Sequence, residues 1–315
     1  VNQSQKPLPP DSTILGYLQL VRLPNVFMAI TDVLMGYLFS HAVLQPGDGS
    51  LLGLLVVTSV LLYMAGMVLN DVFDADVDAQ ERPERPIPSG RVSRATARLV
   101  GWQFLGIGVI TGWLVGIRVG DLRPGIIVSL LAGCVVLYDG FLKRLPIGPL
   151  GMGACRMLNV LLGMSLAPQP WGDEHWLVAG AVGLYIAGVT WFSRGEAARS
   201  HRGLLILGML VLLLGVAILG FLPSVTEDLT PILQEQPARW PLLIGILGVV
   251  ISLRCLRAII EPTSYRVQTT VKQSLMSLVI LNAAICFAVG GPLPALVILF
   301  LLIPASWLGR WIYST

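Results

Sequence analysis

Runs of apolar residues, each about long enough to cross a ~30 Å hydrocarbon layer as a helix, recur along this chain with short polar breaks between them. They lie near Ile14–His41, Leu51–Asn70, Ala97–Ile117, Gly125–Leu142, Ile147–Ala167, Trp176–Phe192, Gly203–Leu222, Pro241–Ile260, Gln273–Gly290 and Leu293–Ile312. The pattern predicts an all-α, polytopic transmembrane helical bundle with up to ten spans, the last of them interrupted by Pro304. The longest polar stretches, around Asp71–Arg98 and Leu222–Trp240, are too short to fold alone. A single membrane domain over residues 14–315 is therefore expected. The polar, Pro-rich stretch 1–13 before it lacks the basic-then-apolar pattern of a cleaved signal and reads as a cytoplasmic tail.

Composition agrees with this reading. With 55% hydrophobic and 12% charged residues and a mean hydropathy of +0.77, 315 residues carry too few polar groups to coat one or two soluble globules. The net charge of +3 says less than where the charges fall. Arg82, Arg85, Arg91, Arg94 and Arg98 follow the second run, and Lys143 and Arg144 the fourth. Arg194, Arg199 and Arg202 follow the sixth, and Arg254, Arg257, Arg266 and Lys272 surround the break after the eighth. The opposite loops hold only Arg118, Arg123 and Arg239, so the positive-inside rule places the loop after the second run in the cytoplasm. No basic stretch interleaved with aromatics points to nucleic acid. Cys134, Cys155, Cys255 and Cys286 each sit alone in an apolar run, and His41, His175 and His201 are scattered, so neither a disulfide framework nor a Cys/His metal cluster is expected.

The chemistry concentrates in Asn70–Asp78, read N-D-V-F-D-A-D-V-D. At about 100° per residue, Asp71, Asp74 and Asp78 fall within roughly 60° of one another, with Asn70 at the edge of that arc. Three carboxylates on one helical face at the end of an apolar run are costly unless a cation neutralises them. Hard oxygen ligands of this kind suit magnesium, usually shared with substrate phosphates. A plain solvated helix cap would need no such spacing. A calcium loop starting at Asp74 fails, because Ala79 stands where Gly is required and Arg85 where the bidentate Glu should be.

Asn70, Asp71, Asp74 and Asp78, with the continuation Arg82-Pro83-Glu84-Arg85-Pro86-Ile87-Pro88-Ser89-Gly90-Arg91, resemble the N-D-x-x-D-x-x-x-D signature and following loop of the UbiA superfamily of intramembrane prenyltransferases. The resemblance implies a bundle of usually nine core helices, so the tenth run would be an appended helix or a re-entrant piece. It implies that the acidic motif holds Mg2+ on the diphosphate of an isoprenoid donor, whose prenyl group passes to an acceptor within the membrane. Ser193-Arg194-Gly195-Glu196-Ala197, Ala154–Gly163 and Gly309–Thr315 look like the bacterial ebo-cluster branch of these proteins, which implies a bacterial inner membrane and leaves the acceptor unidentified. The resemblance implies a magnesium-dependent prenyltransferase, with a catalytically silent isoprenoid-lipid binding or carrier protein on the same fold as the alternative.

Other residues join the candidate site. Arg82, Arg85 and Arg91 offer guanidinium forks suited to phosphate oxygens on a loop stiffened by three prolines, and Arg85 fits the family loop best. Tyr138 and Lys143 resemble a family pair in which the lysine grips diphosphate; Asp139 next to Lys143 in helical spacing gives the structural alternative of an ion pair. Arg22 and Asn25, in Arg22-Leu23-Pro24-Asn25, resemble the family's Arg-x-Pro-Asn entrance, although Arg22 could equally snorkel to headgroups. Arg156, with Asn159 on its face, lies deep in the fifth run and should meet either a polar cavity or a carboxylate such as Asp139 or Glu196. The family's second acidic motif, D-x-x-x-D, is replaced: Ser193 and Ala197 stand at the expected aspartates, leaving Glu196 with Arg194 and Arg199. The departure implies one magnesium with arginines in place of the second metal, or a protein that binds without transferring.

Overall fold

The computed structural model of the chain describes residues 13–42, 44, 46–194 and 202–311, the last two as backbone only. All ten apolar runs are helical, and no strand occurs among the described residues. The first run is broken into α1 (Thr13–Leu20) and α2 (Leu23–His41). Then come α3 (Gly49–Glu81), α4 (Arg94–Val119), α5 (Arg123–Gly140) and α6 (Gly148–Met164). They are followed by α7 (Asp173–Ser193), α8 (Arg202–Leu219), the single turn α9 (Pro231–Glu235), α10 (Arg239–Ile260) and α11 (Ser264–Gly290). The last run forms α12 (Pro292–Phe300) and α13 (Leu302–Trp311). The break falls next to Phe300, four residues before Pro304, whose ring would clash with that carbonyl in a continuous helix.

Among the described residues nine segments are long and apolar enough to cross a membrane. The fifth run is not one of them, since α6 has 17 residues, about 25 Å of helix. Instead α6 is held against α2, α5 and α7 in the middle of the bundle. Its approach to α2 is backbone to backbone. A Cβ on Gly36 would strike the Val160 carbonyl, and one on Gly163 the Val33 carbonyl, so two glycines permit a spacing that no side chain would. Gly153 and Gly183 face each other across α6 and α7, whereas Gly180 faces open space.

Large apolar side chains on the outer faces, such as Ile110, Leu210, Leu242 and Leu296, are exposed, as lipid-facing surfaces require. Inside, one core gathers Val33, Tyr37, Leu162, Tyr185 and Trp240. The buried Tyr185 hydroxyl donates to the Ser274 carbonyl at 2.7 Å and the Trp240 indole to the Leu219 carbonyl at 2.6 Å, so neither polar tip is stranded. A second, smaller core lies where the acidic motif stands: Leu20, Val68, Val72, Ala75 and Ala97 bury Ile87 and Val92 of the loop after α3.

Candidate active site at the end of the longest helix

Helix α3 does not stop where its apolar run stops; it continues through the whole acidic motif to Glu81. Carboxylates near a helix C-terminus oppose the helix dipole, so cations must come from elsewhere to keep this end folded. Three do. Arg85 Nη1 lies 2.7 Å from Asp78 Oδ2 and 3.6 Å from Asp71 Oδ1, with all three side chains almost wholly buried. Arg22 Nη2 lies 3.5 Å from Asp71 Oδ1. Lys143 Nζ lies 2.7 Å from Asp74 Oδ2, and this aspartate, with 26% of its side chain exposed, is the accessible one of the three.

Local sequence explains how each cation reaches its place. Arg22 occupies the left-handed region at φ 47°, ψ 52°, between α1 and α2, with Pro24 opening the second helix. A non-glycine residue rarely adopts that conformation, and here it turns the chain so that the guanidinium faces α3. Arg85 is set by its loop: Ile87 and Val92 anchor it in the small core, and Arg91 ties it to α1 through Gln19 at 2.8 Å. Arg91 also donates to the Glu84 carbonyl, so it shapes the loop and is turned away from the motif. Lys143 sits in the short connection between α5 and α6. That connection is gripped by Arg194, which donates to the carbonyls of Lys143 at 2.6 Å, Leu145 at 2.7 Å and Pro146 at 3.3 Å. Gly148 leaves the room Arg194 needs, because a Cβ there would meet the guanidinium.

Several sequence expectations are redirected by these contacts. Lys143 pairs with Asp74 and not with Asp139. Asp139 instead accepts a 2.9 Å hydrogen bond from Asn70, so the amide of the motif is engaged with a second-helix carboxylate. Arg156 pairs not with Asp139 but with Asp32 of α2, at 2.6 Å. Arg194 is committed to backbone carbonyls, and Ser193 donates back to the Thr190 carbonyl of its own helix. Glu196, Ala197 and Arg199 lie outside the described residues. Cys134 and Cys155, read as isolated, meet across α5 and α6 with their sulfurs 3.4 Å apart.

Next to the motif a cavity of about 90 Å³ opens between α2, α3, α5 and α6. Tyr138 and Asp139 line it on the motif side, and Tyr63, Arg156, Asn159 and Ser59 line it deeper in. Asn25 lies beside Tyr63 of this wall. The rest of the lining is apolar, from Leu62, Met67, Leu131, Val135 and Met152 among others. Sequence reasoning missed Asp32, Tyr63 and Asn282. Asp32 had a readable signal, a lone acid ten residues into the first apolar run beyond Arg22.

Among the described residues no three acidic, thiol or imidazole groups stand close enough to hold a metal by themselves. Magnesium seldom needs such a cage, since it is commonly held by one or two carboxylates together with substrate phosphates. The hard oxygens of Asp74, Asp71 and Asp78 on one face fit that use.

An all-helical bundle with nine membrane-crossing segments among the described residues and a charge-matched carboxylate row beside a mostly apolar cavity defines a polytopic membrane protein with a candidate site at one end of its longest helix. The sequence profile of the UbiA prenyltransferase family matches residues 32–263, and the chain belongs to that family. It is 35% identical over 163 residues to a digeranylgeranylglyceryl phosphate synthase of Methanopyrus kandleri, covering 50% of this chain and 56% of that protein. A protein of the same name from Metallosphaera sedula is 31% identical over 163 residues, 51% of this chain and 55% of that protein. The chain thus spans about half the length of the curated relatives it matches. A solved structure described as digeranylgeranylglyceryl phosphate synthase in membranes superposes with a TM-score of 0.65 at 20% identity, over 89% of this chain and 99% of that one. A UbiA homologue from Archaeoglobus fulgidus bound to DMAPP and Mg2+ gives 0.60 at 12% identity, over 83% and 98%. At such identities these two likenesses establish the fold.

Proposed function

We propose that the protein transfers a prenyl group from an isoprenoid diphosphate to an acceptor within the membrane, with magnesium. The observation that carries this reading is the charge balance of the site: Asp71, Asp74 and Asp78 are matched by Arg22, Arg85 and Lys143. A matched site has no net positive charge to offer a diphosphate, so the donor's charge must be offset by a cation that comes with it. Bound magnesium would neutralise diphosphate oxygens, with Asp74 as the accessible ligand and Asp71 and Asp78 behind it. Arg22, Arg85 and Lys143 are then free to turn from the carboxylates to the phosphate oxygens. There they bind the donor and stabilise the charge that grows as the carbon–oxygen bond breaks. Asn70 and Asp139 fix the wall next to the breaking bond, while Tyr138, Arg156, Asn159 and Asn25 border the space for the acceptor.

The names of the curated relatives make a glyceryl phosphate ether the first acceptor to test. Membership of the ebo-cluster branch, the cytoplasmic placing of the basic loops and a bacterial inner membrane belong to the same proposal. Purified protein incubated with magnesium, a labelled series of prenyl diphosphates and a membrane-lipid extract should release diphosphate and yield a labelled lipid. Tight donor binding with no release for any chain length would overturn transfer in favour of a carrier.

A further inference from the structure

The deep wall of the cavity is a closed, charge-compensated network. Asp32, wholly buried in α2, accepts from Arg156 at 2.6 Å and from Asn159 at 3.5 Å on one oxygen, and from Asn282 of α11 at 3.0 Å on the other. Asn159 in turn donates to the Ala29 carbonyl at 3.0 Å and accepts from Ser59 at 2.7 Å. One arginine N–H is thus spent on Asp32. The guanidinium has others in its fork, and its side chain, 13% exposed, borders the cavity.

Such a wall offers N–H donors without net positive charge. Asp139, also on the cavity, adds a carboxylate whose second oxygen is buried without a hydrogen-bond partner. Around this space Asp32 and Asp139 face Arg156, while the two further cations near Asp139, Arg22 and Lys143, are paired with Asp71 and Asp74. An anionic group entering here would lie beside the Asp32 and Asp139 carboxyls in a low-dielectric surround and would compete with Asp32 for Arg156. A hydroxyl or ether oxygen would instead accept from Arg156, and a hydroxyl could donate to the unpartnered oxygen of Asp139. The volume, about 90 Å³, is below the ~150 Å³ that holds a benzene ring, which suits a small head.

We infer that the Asp32–Arg156–Asn159 floor is the acceptor-head site and that it selects a small, neutral, hydroxyl-bearing head over a phosphorylated or carboxylated one. The inference rests on the transfer reading above but runs against the phosphate carried in the relatives' name. In the step it implies, the acceptor oxygen forms a bond to the prenyl C1 and the C1–O bond to diphosphate breaks with its electron pair leaving on diphosphate. The hydroxyl proton passes to solvent or to the released diphosphate.

The test compares a prenylglycerol ether with its own phosphate ester, each as acceptor and as ligand to the full-length protein in lipid nanodiscs. Turnover with magnesium and a labelled prenyl diphosphate should favour the neutral ether by at least tenfold in kcat/KM. In a separate binding arm without donor, the neutral ether should raise the thermal midpoint and the phosphate ester should not. Asp32→Asn, which strips Arg156 of its counter-ion, should move preference toward the phosphate ester. If that variant does not fold, Ser59→Ala, which removes one neutral contact of the floor, should weaken binding of the ether severalfold. Equal or better use of the phosphate ester by the unmodified protein overturns the inference. Failure of the transfer reading looks different: no diphosphate is released with any acceptor, while the binding arm still decides between the two heads.

Discussion

Removing Arg85 tests whether the acidic row is held by charge balance. Its guanidinium bridges Asp78 at 2.7 Å and Asp71 at 3.6 Å, and the three side chains are only 6–7% exposed. Arg85→Leu keeps much of the side-chain volume and withdraws the charge, leaving two buried carboxylates near a helix C-terminus that already disfavours them. Breaking a buried pair of this kind costs about 3–5 kcal/mol. At ~2–4 °C per kcal/mol the thermal midpoint in detergent should fall by roughly 6–20 °C in the presence of EDTA. The same substitution frees both carboxylates for a cation. Magnesium at a hundredfold over its Kd should then return about 2.7 kcal/mol, whereas the unmodified protein, whose carboxylates are occupied by Arg85, should shift much less. Thermal unfolding followed by tryptophan fluorescence, with EDTA and with a magnesium series, reads both effects. An unchanged midpoint in EDTA, or a variant no more sensitive to magnesium than the parent, would refute the charge-balance account.

Substitutions at three further positions separate chemistry from architecture. Asp74→Asn removes the most accessible carboxylate and a partly exposed ion pair worth no more than about 1 kcal/mol, so the fold should persist while magnesium-dependent diphosphate release is lost; full activity would exclude Asp74 as the metal ligand. Arg194→Ala deletes three bonds from a charged donor, each of a type worth about 1.5–3 kcal/mol, and loosens the segment that carries Lys143. Donor KM should rise about tenfold or more, and Arg194→Lys should restore only part of it because a point charge cannot span three carbonyls; steady-state kinetics with varied donor reads this. Gly163→Ala places a methyl against the Val33 carbonyl, which should cost about 1–3 kcal/mol by forcing α2 from α6, seen as a lower midpoint in thermal unfolding.

The ten runs and the face shared by Asp71, Asp74 and Asp78 were legible because each depends on one helix alone: its length, its hydropathy and its 3.6-residue period. Which side chain answers which is a property of two helices, set by how they rotate against each other. Periodicity therefore placed Lys143 one turn from Asp139, yet the α5–α6 connection swings it across to Asp74, and Asn70 takes Asp139 instead. Arg156 was read as needing a cavity or an acid, and the structure supplies both; its partner Asp32 is 124 residues away in the chain. The left-handed turn at Arg22 had no sequence signal beyond Pro24, since arginine is not a residue that announces such a conformation.

The replaced second acidic motif and the charge-matched first one account for each other. An additional pair of aspartates at the end of α7 would bring two more negative charges to a site where three acids already balance three bases, and would call for another divalent ion. Arg194 stands in that region and is not poised as a phosphate ligand. It holds the carbonyls of the connection from Lys143 to Pro146, and through them the ammonium that answers Asp74. On the proposed reading, the end of α7 acts on the donor site by fixing a lysine where the resembled family pattern would have it fix a metal. This division, on the same transfer reading, leaves the row on α3 as the place for a magnesium ion and makes the Lys143 segment the element whose rigidity would set how well the donor is gripped.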